Sequence, residues 1–566
     1  MVKIKKKHIL LITILSVGFI LRIWGIGFGL PYQFHQDEPM AINHAIAYGS
    51  GDFNPHYFQL PPLLSYLLFF LYAIFYGIGK LLHLFKDGDS FLRLFLQNPT
   101  IFYLIARISF GLLPGCISIF LTYKLTQVIS NKKTAYLAAL LLSVSFLHVR
   151  DSHYAYHDIP LVMCLLLAFL FSFKYLNTNK LSNMIAAGIC AGLATGFKYN
   201  GVLIIIPILL QPWLIKNDKK ISITGVLQVN LVFFILFILS YILSNPYSVL
   251  DIKTFLASVF IEKQVHAYVG WLHHITYSAF AGMGLLITII SVAGLIMFMF
   301  SKDIRKKLIA LFVLLSYLSI ALFGQVHERY ILPILPFLLI IAAVYIGDVS
   351  GKLPVKKQKL FFIFVIPLIA ISPFLKSLYS DILFSRKDTR AQATDWIIAN
   401  MPAATSIALD HSFFSPRLFQ SPEQFDEKIN LLENKKEFGG RLKKAKILKE
   451  ISEQEKSYQV FFLNNIQEDK FIFSTSPKLP FSVTEILKNN LAYVVLHLDY
   501  PEQEYPNAGF RKGLLSRAKL IKVFNPYKKD NINLKGEFST TAAAFSSKEI
   551  SSRITNGPVL FIYKLD

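Results

Sequence analysis

The chain has 566 residues, of which 54% are hydrophobic and only 16% charged, with 50 phenylalanines and 27 tyrosines. No soluble domain buries that much aliphatic and aromatic surface, so the composition is that of a protein crossing a membrane several times. The formal charge of +23 does not make it a nucleic-acid binder: the Lys and Arg of the membrane half stand in short runs between apolar segments, with no contiguous basic surface interleaved with aromatics.

The N-terminus, "MVKIKKKHILLITILSVGFILRIWGIGFGL", has the charge pattern of a signal peptide. Its apolar run is too long and lacks a small-residue cleavage site, so a retained signal anchor is expected. Apolar runs near the length of a span follow at about 102–128, 134–149, 157–175, 183–198, 200–215, 223–244, 278–300, 307–324, 330–347 and 360–378. With the anchor they predict an α-helical polytopic protein of about eleven spans. The three cysteines, Cys116, Cys164 and Cys190, all fall inside such runs, which argues against disulfides and metal–thiolate sites.

A further apolar stretch, 62–85, is assigned by charge. The basic runs at the start and at 131–133, 216–220, 302–307 and 352–359 all fall on one side if 62–85 does not cross, and the positive-inside rule makes that side cytoplasmic. The stretch is therefore expected along the outer surface, with Lys80, His83 and Lys86 at the interface. Loop 30–101 and everything after about 379 then face outward from the cell membrane.

From "SRKDTRAQATDWIIANMP" onward the chain turns polar. A helix capped at Asp388 or Thr389 and ending before Pro402, β-rich runs at 406–410, 458–463, 492–498, 519–524 and 559–565, and a lysine-rich helix over 426–455 predict an extracytoplasmic α/β domain. The expected division is a membrane domain over 1–378 and this outer domain over 379–566.

Plotted on this topology, the unusual polar residues gather on the outer side: His35, Asp37 and Glu38 in the first loop, "HVRDSHYAYHD" at 148–158, Lys198, "NPYSVLD" at 245–251 and "HERY" at 327–330. Ionisable groups at membrane depth are costly and mark candidate functional sites. Each has a structural alternative. Asp37 and Asp158 could cap helices, since Pro39 and Pro160 follow closely. Arg150, Asp151 and Arg329 could be interface charges. Lys198 ends the small-residue run "AGICAGLATGF" and is separated from the next apolar run only by Tyr199 and Asn200, which makes a purely structural role harder to argue. His35, His153 and His157, with Asp37 and Asp158, have the chemistry of a divalent-metal site, but no tight ligand spacing specifies one.

The "DE" pair in a large first loop followed by "PPLLSYLL" resembles the C-type glycosyltransferase superfamily, in particular glycosyltransferase family 39, the protein O-mannosyltransferases and their bacterial relatives, with the aminoarabinose transferases nearby. "HVRDSHYAYHDIPL" is similar to the segment carrying that family's second acidic residue, "GLATGFKYNG" to its glycine-rich turn ending in Lys, and "ERYILPILPFLLIIAA" to a late helix. "DTRAQATDWIIANMP" resembles the start of the outer domain in bacterial members. Relatives often carry Lys or His just before the "PP" at 61–62, where Gln59 and Leu60 stand here. The resemblance implies transfer of a sugar from a polyprenyl-phosphate donor to a hydroxyl of a protein, lipid or glycan outside the cell, with inversion and no required cofactor. Asp37 would be the base, assisted by Glu38, with Asp158 as second acid, and Arg107, Arg150, Lys198 and Arg329 would face the leaving phosphate. The competing readings are a lipid flippase or transporter, and a ligase using a diphosphate-linked donor.

Overall fold

The structure is a computed structural model and describes residues 6–215, 222–262, 271–322, 327–411, 413–434, 439–463, 477, 479–498, 510, 513–514, 516–528 and 550–565. The basic run at 216–220 lies outside the described residues. The chain divides into two compact units. The first comprises residues 1–24, 54–67 and 106–381, the second 25–53, 68–105 and 382–566.

The first unit is helical. Among the described residues of the whole chain, five helical stretches are long and apolar enough to cross a membrane: Leu63–Leu81, Thr100–Ile129, Asp158–Thr178, Ile223–Ser244 and Val355–Asn400. A sixth arises if His274–Met283 and Leu285–Met299, bent by 118° at Gly284, form one broken span. Most of the remaining expected spans are shorter helices or broken ones, while 307–324 falls on the continuous helix Ile304–Ala321, which opens on Arg305, Lys306 and Lys307, and length and composition do not carry the count to eleven. Leu63–Leu81 passes the same test as the others, so its expected place along the outer surface rests on the charge argument alone.

The breaks have local causes. The run 134–149 divides at Ser145 into Lys132–Val144 and Phe146–Asp151. Such a break leaves carbonyls without their helical donors. Arg22 supplies donors, to Leu142 O at 3.1 Å and Ser143 O at 3.1 Å, and its guanidinium also reaches His148 Nδ1 at 2.9 Å. Ser145 Oγ donates to Gly282 O at 2.8 Å. The small-residue run of helix Leu181–Phe197 packs against Ile223–Ser244, where a Cβ on Gly192 would lie 2.5 Å from Phe237 O. That close approach requires glycine.

The second unit is built on a six-stranded sheet in the order β2-β3-β1-β4-β6-β5, with β1 Ser406–Leu409, β2 Phe419–Gln420, β3 Ser457–Phe462, β4 Tyr493–Leu498, β5 Ala518–Phe524 and β6 Val559–Leu565. β2, β3, β1 and β4 are parallel, and β6 and β5 add antiparallel. The β-rich runs read from the sequence become five of these strands, and β2 is too short to have been legible. Both faces are covered: Ala408, Val494 and Phe561 point into one core, and Ile407, Val495 and Ile562 into the other with Ala393 and Ile397 of helix Thr389–Asn400. A sheet buried on both sides explains the near-continuous apolar strands. The expected 426–455 helix is two helices, Pro422–Asn434 and Gly440–Ser452, with 435–438 outside the described residues.

The first-loop segment belongs to this unit through Arg390. Its guanidinium pairs with Asp388 at 2.7 Å, donates to Phe34 O at 3.3 Å and Phe413 O at 2.9 Å, and lies 4.0 Å from the centre of the Phe34 ring.

Candidate active site

The acidic pair sits at the start of helix Glu38–Ala47 in the second unit. The cap is not the one the sequence suggests. Asp37 makes no side-chain capping bond, and His35 Nδ1 instead accepts from the backbone N–H of Asp37 and of Glu38, both at 3.2 Å. This use of Nδ1 ties His35 to the helix start rather than to a metal. Glu38 is fully buried, within electrostatic range of Tyr72, whereas Asp37 is partly exposed.

The other candidates lie in the first unit, where the structure brings several together. Gly111 permits the approach of the 148–158 segment, since a Cβ there would stand 2.3 Å from Ser152 O. Arg150 is buried between two carboxylates, Asp151 at 2.9 Å and Glu328 at 2.8 Å. Lys198 leaves the end of helix Leu181–Phe197 in extended conformation, in a turn tightened where a Cβ on Gly201 would meet Ala194 C at 2.6 Å. Its Nζ meets Asp158 Oδ1 at 2.8 Å and lies 5.2 Å from the Tyr330 ring centre. The guanidinium of Arg329 stands 4.7 Å from the Tyr156 ring centre. Asp151 is within electrostatic range of both Asp158 and Arg329, and Arg107, fully buried, within range of His153.

The cluster thus holds three cations, Arg150, Lys198 and Arg329, and three carboxylates, Asp151, Asp158 and Glu328. Two cations read from the sequence as phosphate contacts have internal counterions, and a charge buried in a protein is costly unless it is matched. Asp158 Oδ2 is buried and has no hydrogen-bond partner among the described residues, which leaves an acceptor lone pair open for a hydroxyl or N–H. Glu328, the partner of Arg150, was visible in "HERY" but carried no signal of its own, because pairing across 178 residues has no local pattern.

The histidines do not assemble as ligands. His153 places Nδ1 2.9 Å from Val149 O and Nε2 3.0 Å from Trp24 O, and His157 Nδ1 lies 2.8 Å from Phe197 O. Among the described residues no group of three or more His, Cys, Asp or Glu is placed to hold a metal. In "NPYSVLD", Asn245 Oδ1 accepts from Leu63 N at 3.1 Å, and Asp251 accepts from Asn54 Nδ2 at 2.9 Å, so both serve structure. Gln59 is engaged by the Tyr57 hydroxyl.

Residues 91–244 match the dolichyl-phosphate-mannose-protein mannosyltransferase family. No curated protein sequence matches the chain. Its structure is similar to that of the oligosaccharyltransferase of Archaeoglobus fulgidus, with a TM-score of 0.50 at 12% identity over 88% of this chain and 70% of that one. ArnT from Cupriavidus metallidurans aligns over 98% of this chain and 97% of its own at 12% identity, with a TM-score of 0.49. The chain therefore shares the fold of that oligosaccharyltransferase and, over residues 91–244, matches the dolichyl-phosphate-mannose-protein mannosyltransferase family.

Proposed function

We propose that the protein transfers a sugar from a polyprenyl-phosphate donor to an acceptor hydroxyl on the outer side of the cell membrane. The observation that carries this reading is that the family match, residues 91–244, encloses Arg107, Arg150, Asp158 and Lys198, which form or adjoin the buried charge cluster. In the reaction the acceptor O–H loses its proton to Asp37 as its oxygen attacks the anomeric carbon. The bond from that carbon to the phosphate oxygen breaks, and the lipid phosphate leaves with the electron pair. Attack opposite the phosphate inverts the anomeric centre. Arg107, Arg150, Lys198 and Arg329 are the cations available to the leaving phosphate. Asp158, held by Lys198, offers its second oxygen to orient a sugar or acceptor hydroxyl.

Asp37 is favoured over Glu38 as base because an acceptor must reach it, and Glu38 is fully buried. Asp37→Asn keeps the shape of the side chain and removes its basicity. The variant should lose about two to four orders of magnitude in rate while still folding, since Asp37 makes no capping bond of its own. Glu38→Gln should cost less. Purified variants assayed with a polyprenyl-phosphate mannose donor test this. Activity in Asp37→Asn together with inactivity in Asp158→Asn would move the base to Asp158. A parallel assay with a diphosphate-linked donor separates the ligase reading.

A further inference from the structure

Within the second unit, β1 lies between β3 and β4, and the chain passes to β2 and β3 on one side of it before reaching β4 on the other. In parallel sheets the carboxyl ends of the strands flanking such a reversal are where ligands are held. That edge carries the segment leaving β1. Asp410 accepts from the backbone N–H of His497 at 2.6 Å, from His497 Nδ1 at 2.7 Å and from Ser415 Oγ at 3.2 Å. Its carboxylate is thus engaged in joining β1 to β4.

Two guanidiniums stand beside this segment, and only one of them is matched. Arg390 has Asp388 at 2.7 Å and carbonyl acceptors at Phe34 and Phe413. Arg417, within electrostatic range of Arg390, forms no side-chain hydrogen bond and no ion pair among the described residues, and its Nε is buried. Its guanidinium lies 5.9 Å from the centre of the Phe413 ring, and the His411 ring centre lies 6.0 Å from the same point. His411 Nδ1 accepts from Phe413 N at 3.0 Å, so in the neutral imidazole the proton sits on Nε2. Among the described residues that N–H has no acceptor. Burial, reinforced by Arg390, lowers the Arg417 guanidinium to about 10, a cost that a bound anion would relieve.

We propose that Arg417, with His411 as second donor, binds a carboxylate of the acceptor, and that the acceptor is an acidic saccharide. The inference rests on the transferase reading and names the acceptor class which that reading leaves open. With Arg390 neutralised by Asp388, the site offers one net positive charge, a guanidinium fork and one further N–H. A carboxylate, a planar monoanion that takes two parallel bonds from arginine, matches it better than a phosphomonoester, whose charge is about −1.5 to −2. A peptide fits less well, because β1 is paired on both sides and presents no open strand edge to a backbone. The donor is not the ligand meant here: the site is tied to the base instead, through Arg390, which holds Phe34 O three residues ahead of Asp37.

The test uses the full-length protein in detergent micelles, titrated calorimetrically with methyl glucuronide, with methyl glucoside as its uncharged counterpart, and with a blocked glutamyl peptide. The glucuronide should bind at least tenfold more tightly than either. Arg417→Gln should weaken glucuronide binding at least tenfold, the loss of one charge-assisted pair, and His411→Phe at least threefold. Because Arg417 has no internal counterion, Arg417→Gln should melt no lower than the unaltered protein, which removal of a structural cation would not allow. With a polyprenyl-phosphate mannose donor, an oligoglucuronide should accept sugar at least tenfold faster than the same oligosaccharide with its carboxyls reduced, and Arg417→Gln should erase that preference. Equal affinity for glucuronide and glucoside, or unchanged glucuronide affinity in Arg417→Gln, would overturn the proposal. Tighter binding of the glutamyl peptide would move the ligand to a protein and also overturn it. If Arg417→Gln does not fold, His411→Phe decides, and unchanged glucuronide affinity there overturns the site. Absence of transfer to every acceptor by a protein that binds the glucuronide would instead overturn the transferase reading and leave the carboxylate site standing.

Discussion

Lys198 and Asp158 are each other's nearest charge, 2.8 Å apart, with Asp158 buried and Lys198 only 15% exposed. That contact changes what a substitution at Lys198 measures. Lys198→Ala leaves a carboxylate buried without a counterion, and breaking such a pair from one side costs about 3–5 kcal/mol. Much of its effect on turnover would then be structural. The double variant Lys198→Met/Asp158→Asn should melt closer to the unaltered protein than Lys198→Ala does, by thermal unfolding in detergent. Equal destabilisation by the single and double variants would show that Lys198 acts independently of Asp158. His35 invites a separate comparison. Its Nδ1 takes two backbone donors at the start of helix Glu38–Ala47, and loss of a helix cap costs about 1 kcal/mol. His35→Ala should therefore lower stability slightly, and His35→Asn, which can still accept from the same N–H groups, should recover it.

At the scale of elements, glycine decides how closely two apolar helices approach. Leu181–Phe197 meets Ile223–Ser244 at Gly188 and Gly192, where a Cβ would stand 2.7 Å from Phe233 O and 2.5 Å from Phe237 O. Backbone cannot yield as a flexible side chain can, so Gly192→Ala should destabilise by about 1–3 kcal/mol, as overpacking does. Gly27→Ala, whose Cβ would meet nothing within 4 Å, is the matched control, and melting temperatures of the two in the same detergent give the comparison. In the sheet, β1 delivers Asp410 and His411 to its end, where Asp410 accepts from His497 Nδ1 at 2.7 Å. Burial, reinforced by His497, pushes the His411 imidazole down to about 4. The folded form holds it neutral while the unfolded chain takes a proton below about 6.5. Its contribution to stability is thus complete above that pH and declines as pH falls toward 4. His411→Gln should flatten the acid side of the unfolding profile across that window.

At the scale of the whole molecule, the basic runs and the positive-inside rule predict that residue 37 and the tail after about 379 face away from the cytoplasm. An impermeant thiol reagent applied to spheroplasts of a cysteine-free background should label single cysteines at 52 and 430 and leave one at 218 unlabelled. Labelling at 218 alone would reverse the orientation. The division into units is relevant here, because residues 25–53 and 68–105 cluster with the C-terminal sheet rather than with the membrane helices that flank them in sequence. Arg390 explains part of this, since one guanidinium holds Asp388, Phe34 O and Phe413 O together.

The sequence by itself determined the class, the order of apolar helices and most of the C-terminal strands. Each of these depends on periodicity, length or composition, which are properties of neighbouring residues. Asp388 was legible as a cap for the same reason: its side chain accepts from Arg390 N, two residues on. The tertiary structure alone decided the rest. It broke the 134–149 run at Ser145, because Arg22, more than a hundred positions away, satisfies the carbonyls the break exposes. It gave the cap of helix Glu38–Ala47 to His35 rather than Asp37, a choice of side-chain direction that composition does not encode. It also turned two cations, Arg150 and Lys198, into partners of carboxylates 178 and 40 residues distant. A buried charge must be matched by whatever the fold brings near, and that partner is set by packing rather than by local sequence.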